Sequence, residues 1–300
     1  MIARNFIQNL AEQTAKDAGF TSLPVCPFKT AENADITVQA KPQAADGVSG
    51  MLLKSGDNFG NMYATNIQSS GFQHFAISHE LGHYFLEGHS EAILKLDPAS
   101  GGGLFHASRA GFVSNDRFER EADQFAAALL MPEDAFRLAM KSRGTGMQAI
   151  ESLASLAKPS LPATAFRYHE LTNDAVDVVL SSFDEVNVCF YSDRFKDIVK
   201  PTLPYFKKGT PVPHGTLTRQ FNQNKANVLG GASEEDQTRF ADWFGIDGPV
   251  VREQVQGLGG YGKTLTVITC TAQADDDFDA DEQADDDEFL KENWTPRFRR

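Results

Sequence analysis

The spacing of apolar residues changes several times along this chain, and each change predicts an element. In "MIARNFIQNLAEQTAKDAGF", Met1 to Phe20, apolar and polar residues mix at helical spacing with no uninterrupted apolar stretch. That pattern predicts a folded amphipathic helix rather than a secretion signal. "TSLPVCPF" turns the chain, and "ADITVQAK" alternates as a strand does. "GVSGMLLKSGDNFGNMYATN" reads as two short strands joined at the Gly/Asp/Asn cluster between Ser55 and Gly60. From Phe72 to Glu87 the apolar residues Phe75, Ala76, Ile77, Leu81, Gly82, Tyr84, Phe85 and Leu86 cover almost the whole helical circumference. A helix apolar nearly all round is a buried one, so this half is expected to be an α+β domain.

Residues 92–114 carry a Gly101–Gly103 run and are expected to form an irregular loop. Helix returns over Asp116 to Leu130, with Phe118, Ala122, Phe125 and Leu129 on one face, and Pro132 opens the next, "PEDAFRLAMKS". "QAIESLASLAKPSLPATAFRYHELT" predicts two short helices about a proline-punctuated turn. Beyond Asp174, "AVDVVLSSFDEVNVCFYS" predicts a β-hairpin turning near Ser182 to Glu185, "EEDQTRFADWFG" a helix, and "GKTLTVITCTA" a buried strand. These expectations divide the chain into a domain at 1–140, a helical linker at 141–173, a smaller α+β domain at 174–271 and a tail at 272–300.

Composition narrows the function classes. The formal net charge is −13, of which the tail from Ala272 to Arg300 supplies −7 and the rest −6. A body this acidic is a poor candidate for gripping phosphates, so no direct nucleic-acid binding is expected. The tail reads as a disordered, solubilising segment; an anionic mimic or an autoinhibitory segment are its functional alternatives. No apolar run approaches the roughly 18 residues a spanning helix needs, so no membrane partner is expected. The cysteines, Cys26, Cys189 and Cys270, are sparse and form no CxxC unit, which fits a reducing cytoplasm and gives no thiolate metal site.

The candidate chemistry lies in "SHELGHYFLEGH", Ser78 to His89. Residues four apart on a helix share a face, so His79 and His83 aim two imidazoles at one point, the spacing a zinc ion needs from a single helix. Glu80 can reach a water in the ion's open position, whose pKa falls toward about 7, and take its proton during attack on a carbonyl. The bland alternative is two satisfied core histidines, which with a buried glutamate would need costly partners. A catalytic site wants a third protein ligand. His89 is one candidate, but HExxHxxGxxH sites break the helix with a glycine three residues after the second histidine, and here that residue is Leu86. The helix is therefore expected to run to Glu87 and end at Gly88 as a C-cap, leaving His89 after it. Glu119 and Asp123, four apart in "DRFEREADQFAAALLMP", are the other source: one to bind, the other to receive a ligand histidine's free N–H. Against this, Asp116 and Glu119 have the spacing of a helix-capping pair, and Glu121 points to another side of the helix.

"FAISHELGHYFLEGH" followed by "EREADQFAAALLMP" resembles the ImmA/IrrE family of metallopeptidases, with "SLPV" and "GVSGMLL" fitting its N-terminal layout, over about Ile2 to Ala139. The resemblance implies a zincin-like domain with His79, His83 and Glu119 as zinc ligands, Glu80 as catalytic base and Asp123 orienting a ligand. Manganese or another divalent ion suits the same donors. It further implies a cytoplasmic regulatory endopeptidase acting in transcriptional stress responses. Its partner would be a repressor of the XRE type on a separate chain. Some members carry a GAF-like sensor domain, which the region from Asp174 loosely resembles. The glycine-rich loop between the motifs and the acidic tail depart from the family pattern.

The substrate strand is expected to pair with an edge strand around Gly47 to Leu53, and His106 and Tyr84 are weak candidates for the oxyanion donor. The rival reading is a non-proteolytic metal-binding regulator that sequesters its partner.

Overall fold

The computed structural model describes residues 2–41, 48–66, 68–96, 103–109, 116–199 and 206–270. They divide into two compact units, the first of Met1–Ser142 with Ser152–Ala163 and the second of Arg143–Glu151 with the described residues from Thr164 on. No described helix is long and apolar enough to cross a membrane. The acidic tail lies outside the described residues.

In the first unit, helix α1 (Arg4–Asp17) buries Ile7, Ala11, Thr14 and Ala15, the stripe its spacing predicts. Helix α2 (Pro27–Asn33), absent from the sequence expectation, starts on Pro27 at its first turn. Strands β1 (Thr37–Lys41), β2 (Val48–Ser55) and β3 (Asn58–Ala64) follow, with β2 and β3 joined at Gly56 in the left-handed region. Helix α3 (Ser70–Phe85) is capped by the Ser69 hydroxyl, which accepts from the Phe72 amide. It ends two residues earlier than its apolar pattern suggests. Gly88, left-handed as expected, is the N-cap of a further short helix, α4 (His89–Ile93), rather than the C-cap of α3. His89 thus begins a helix instead of trailing one.

The segment expected to be an irregular loop contains strands β4 (Lys95–Leu96) and β5 (Leu104–Arg109). They complete a five-stranded sheet of order β1-β3-β2-β5-β4, parallel only between β1 and β3. Strand β2 is therefore interior, hydrogen-bonded to β3 on one side and β5 on the other, and cannot take a substrate strand. Helix α5 (Arg117–Leu130) lies against α3, and α6 (Glu133–Met140) starts beyond Pro132. Ile7, Ile77, Leu81, Phe125 and Leu129 meet in the core beneath. Asn61 of β3, buried, donates to the Ile77 carbonyl at 2.9 Å and pins α3 to the sheet.

Helices α7 (Gly146–Ala157) and α8 (Leu161–Leu171) are shared between the units. The second unit holds β6 (Val176–Ser182), β7 (Glu185–Tyr191), α9 (Asp193–Val199), α10 (Leu217–Gln223) and α11 (Lys225–Gly230). Then come β8 (Ser233–Arg239), α12 (Phe240–Phe244), β9 (Val250–Gly257) and β10 (Thr264–Cys270). Its antiparallel sheet has the order β7-β6-β10-β9-β8, with fully buried β10 at the centre. The stretch expected to be one helix is a strand, β8, followed by five helical residues. β8 is an edge strand held by its ladder to β9, with nearly every side chain exposed. It therefore carries no apolar alternation to announce it. Phe240, Trp243 and Phe244 of α12 enter an aromatic core with Phe195 and Phe206.

Candidate metal centre

Two helices and two strands build the site. α3 and α5 cross where Gly82 faces Ala122: a Cβ on Gly82 would lie 3.0 Å from the Ala122 Cα. Only two small residues allow that approach. It sets His79 and His83 of α3 beside Glu119 and Asp123 of α5.

The three donor groups converge. The Nε2 atoms of His79 and His83 are 3.0 Å apart, Glu119 Oε1 lies 3.3 Å from His83 Nε2, and Glu119 Oε2 lies 3.5 Å from His79 Nε2. Metal–ligand bonds of about 2.0–2.1 Å at tetrahedral angles separate donors by about 3.3 Å, so this set fits a zinc-sized cation without rearrangement. Among the described residues it is the one such group of three. Behind His79, Nδ1 sits 2.8 Å from Asp123 Oδ1, which leaves Nε2 for the cation.

The electrostatics favour one positive charge at this point. Burial alone would lower His79, but its bonds to Asp123 and Glu119 outweigh that and raise it well above an ordinary imidazole. Burial takes His83 down to about 3, against the pull of Glu119. Burial would raise Glu119, yet bonds from His106, His79 and His83 hold its carboxyl well below the usual carboxylate range. These shifts keep Glu119 ionised and His83 neutral, the states in which both are metal donors.

Glu80 is fully buried, and neither carboxylate oxygen has a hydrogen-bond partner. Burial pushes its carboxyl up to about 7, although His79, the nearby Ser108 hydroxyl and His106 pull the other way. A buried acid whose carboxyl is held near neutrality is suited to carrying a proton. Gly50 of β2 makes its slot. A Cβ there would fall 2.6 Å from Glu80 Oε1, at a position where the β2–β5 register shifts.

The remaining candidates divide. His106 of β5 joins the cluster, with Nε2 2.9 Å from Glu119 Oε1 and its ring beside that of His83. Tyr84 does not: it packs edge-on against Phe59 and Phe85 in the apolar core. The structure also sets His89 off the donor cluster, since its Nδ1 faces His83 Nδ1, the nitrogen turned away from the donors, at 3.2 Å. Asp116 caps α5, accepting from the Phe118 amide, while Glu119 faces the histidines. Glu121, expected to face elsewhere, does so and meets His89. The sequence reading passed over Gly50, although a lone glycine inside a strand pattern signals close approach.

Residues 31–169 match the family model described as "IrrE N-terminal-like domain", Peptidase_M78. No curated protein sequence matches the chain. A solved structure, a Mycobacterium tuberculosis transcriptional regulator, aligns with a TM-score of 0.56 at 14% identity, covering 89% of this chain and 76% of its own. At that identity the likeness concerns the fold. Both motifs lie inside the matched segment, and the match over residues 31–169 supports an ImmA/IrrE family metallopeptidase.

Proposed function

We propose that the protein is a zinc-dependent endopeptidase that hydrolyses a peptide bond in a partner protein, a transcriptional repressor of the XRE type on a separate chain. The observation that carries this reading is the convergence of His79, His83 and Glu119 beside a buried, unpartnered Glu80. His79, His83 and Glu119 would hold the ion, with Asp123 fixing the tautomer of His79. The ion's contribution is Lewis acidity, which acidifies water and polarises a carbonyl. Glu80 takes the proton from the attacking water and returns it to the leaving amine. His106, partly exposed beside Glu119, is the better supported donor to the developing oxyanion, and Tyr84 is set aside. Along β5, β4 covers only Leu104 and Phe105 among the described residues, so His106 to Arg109 is the better strand for aligning an extended substrate. The zincin-like description of the first unit and a sensor role for the second belong to the same proposal.

The test compares wild type with Glu80→Gln. Both should bind one zinc ion per chain, and only wild type should create new peptide N-termini in a cell extract. Equal cleavage by the two proteins would remove Glu80 from the mechanism, and none by either would favour a sequestering regulator.

A further inference from the structure

His79 and His83 are equivalent in the motif, yet only His79 has a carboxylate directly behind it. Asp123 Oδ1 stands 2.8 Å from His79 Nδ1. Behind His83 stands another imidazole, with His89 Nδ1 at 3.2 Å from His83 Nδ1. The next atom outward is a carboxylate again: His89 Nε2 lies 3.0 Å from Glu121 Oε2. His89 is 0% and Glu121 4% exposed, so water does not compete for these bonds. The other oxygen of Glu121 accepts the Ile2 amide at 2.9 Å, which ties the chain ahead of α1 to the same group. Phe118 packs edge-on against the His89 ring at 4.9 Å and closes its side.

The chain of partners fixes which atom carries each proton. A carboxylate accepts only, so His89 Nε2 donates to Glu121. In the neutral ring that leaves His89 Nδ1 as an acceptor, and His83 Nδ1 is the donor facing it. His83 Nε2 is then the bare nitrogen, and it is the atom that lies among His79 and Glu119.

We propose that His89 and Glu121 are positioning residues that set the tautomer of His83, a relayed counterpart of the direct Asp123–His79 pair. This rests on the reading of the three-residue cluster as a metal centre. It gives a buried glutamate and a buried histidine outside the catalytic motif one shared purpose. It also accounts for the left-handed Gly88, the N-cap of α4, which turns the chain so that His89 lies back against α3. Partners of this kind typically change metal affinity about 10- to 100-fold when removed.

The experiment uses the full chain, metal-free, with its histidines labelled with nitrogen-15. Long-range proton–nitrogen correlations should show His83 as the Nδ1–H tautomer and His89 as the Nε2–H tautomer. His83 carrying its proton on Nε2 in wild type would overturn the proposal. Zinc affinity, measured by competition with a chromophoric chelator, should fall about 10- to 100-fold in His89→Ala and Glu121→Ala. His89→Asn, whose amide oxygen can replace the Nδ1 acceptor, should restore most of it. Equal losses in His89→Ala and His89→Asn would mean that the ring merely fills space, against the proposal. If the alanine variants do not fold, the wild-type tautomers and His89→Asn decide. Wild type that binds no zinc but shows these tautomers would fail the metal-centre reading and leave the relay standing.

Discussion

Gly50→Ala separates the proton carrier from the metal-binding group. The added methyl carbon would sit 2.6 Å from Glu80 Oε1 and 3.0 Å from Glu80 Cγ, whereas ordinary contact begins at 3.4 Å. The carboxylate must therefore retreat by about 0.8 Å, and its slot is fully buried, so it cannot swing into solvent. A misplacement of about 1 Å at reacting groups costs on the order of 10²-fold in rate, which corresponds to roughly 2.7 kcal/mol of barrier. The three atoms nearest the new carbon all belong to Glu80, so the histidines and Glu119 should keep their places. Elemental analysis should find unchanged zinc content, while single-turnover cleavage of a proteome-derived peptide library slows about a hundredfold. Overpacking should cost no more than about 1–3 kcal/mol in denaturant unfolding. Wild-type turnover in this variant would refute the idea that Gly50 shapes the Glu80 slot.

The helix crossing makes a complementary prediction: Gly82→Ala should push α3 from α5, weaken zinc binding and lower stability by about 1–3 kcal/mol, read by chelator competition and urea unfolding. In the same metal-content assay Glu119→Ala should lose stoichiometric zinc, and retention would transfer the third-ligand role elsewhere. In the second unit burial pushes Asp177 up to about 8, with one oxygen unpartnered and the other accepting from the Cys189 thiol. A carboxyl raised in the folded state favours folding most below its unfolded pKa of about 4, and that advantage is lost as pH rises toward its folded pKa. Relative to Asp177→Asn, wild type should therefore lose about 1.4 kcal/mol of stability per pH unit between about 4 and 8. Parallel stability profiles across that range would show that the group is not buried as described.

Much of the first unit was legible because its signals are local. Apolar spacing marks α1, α3 and α5, the Gly56 turn marks the β2–β3 hairpin, and HELGH with the later Glu119 and Asp123 marks the donors. What misled was local too. β4 has only two residues, β5 follows a glycine run, and β8 is acidic and exposed, so none of these patterns says strand; backbone pairing with distant neighbours does. The docking strand expected around Gly47 to Leu53 falls, in its described part, on β2. Sheet order instead inserts β2 between β3 and β5.

By itself, then, the sequence determined the donor types and their helical phase, because four-residue spacing on one helix is a local geometric fact. Only the tertiary structure decided which groups stand behind those donors. Gly82 against Ala122, Gly50 beneath Glu80 and Glu121 behind His89 are contacts between residues far apart in the chain. No periodicity encodes such contacts, since they exist only once helices and sheet have packed.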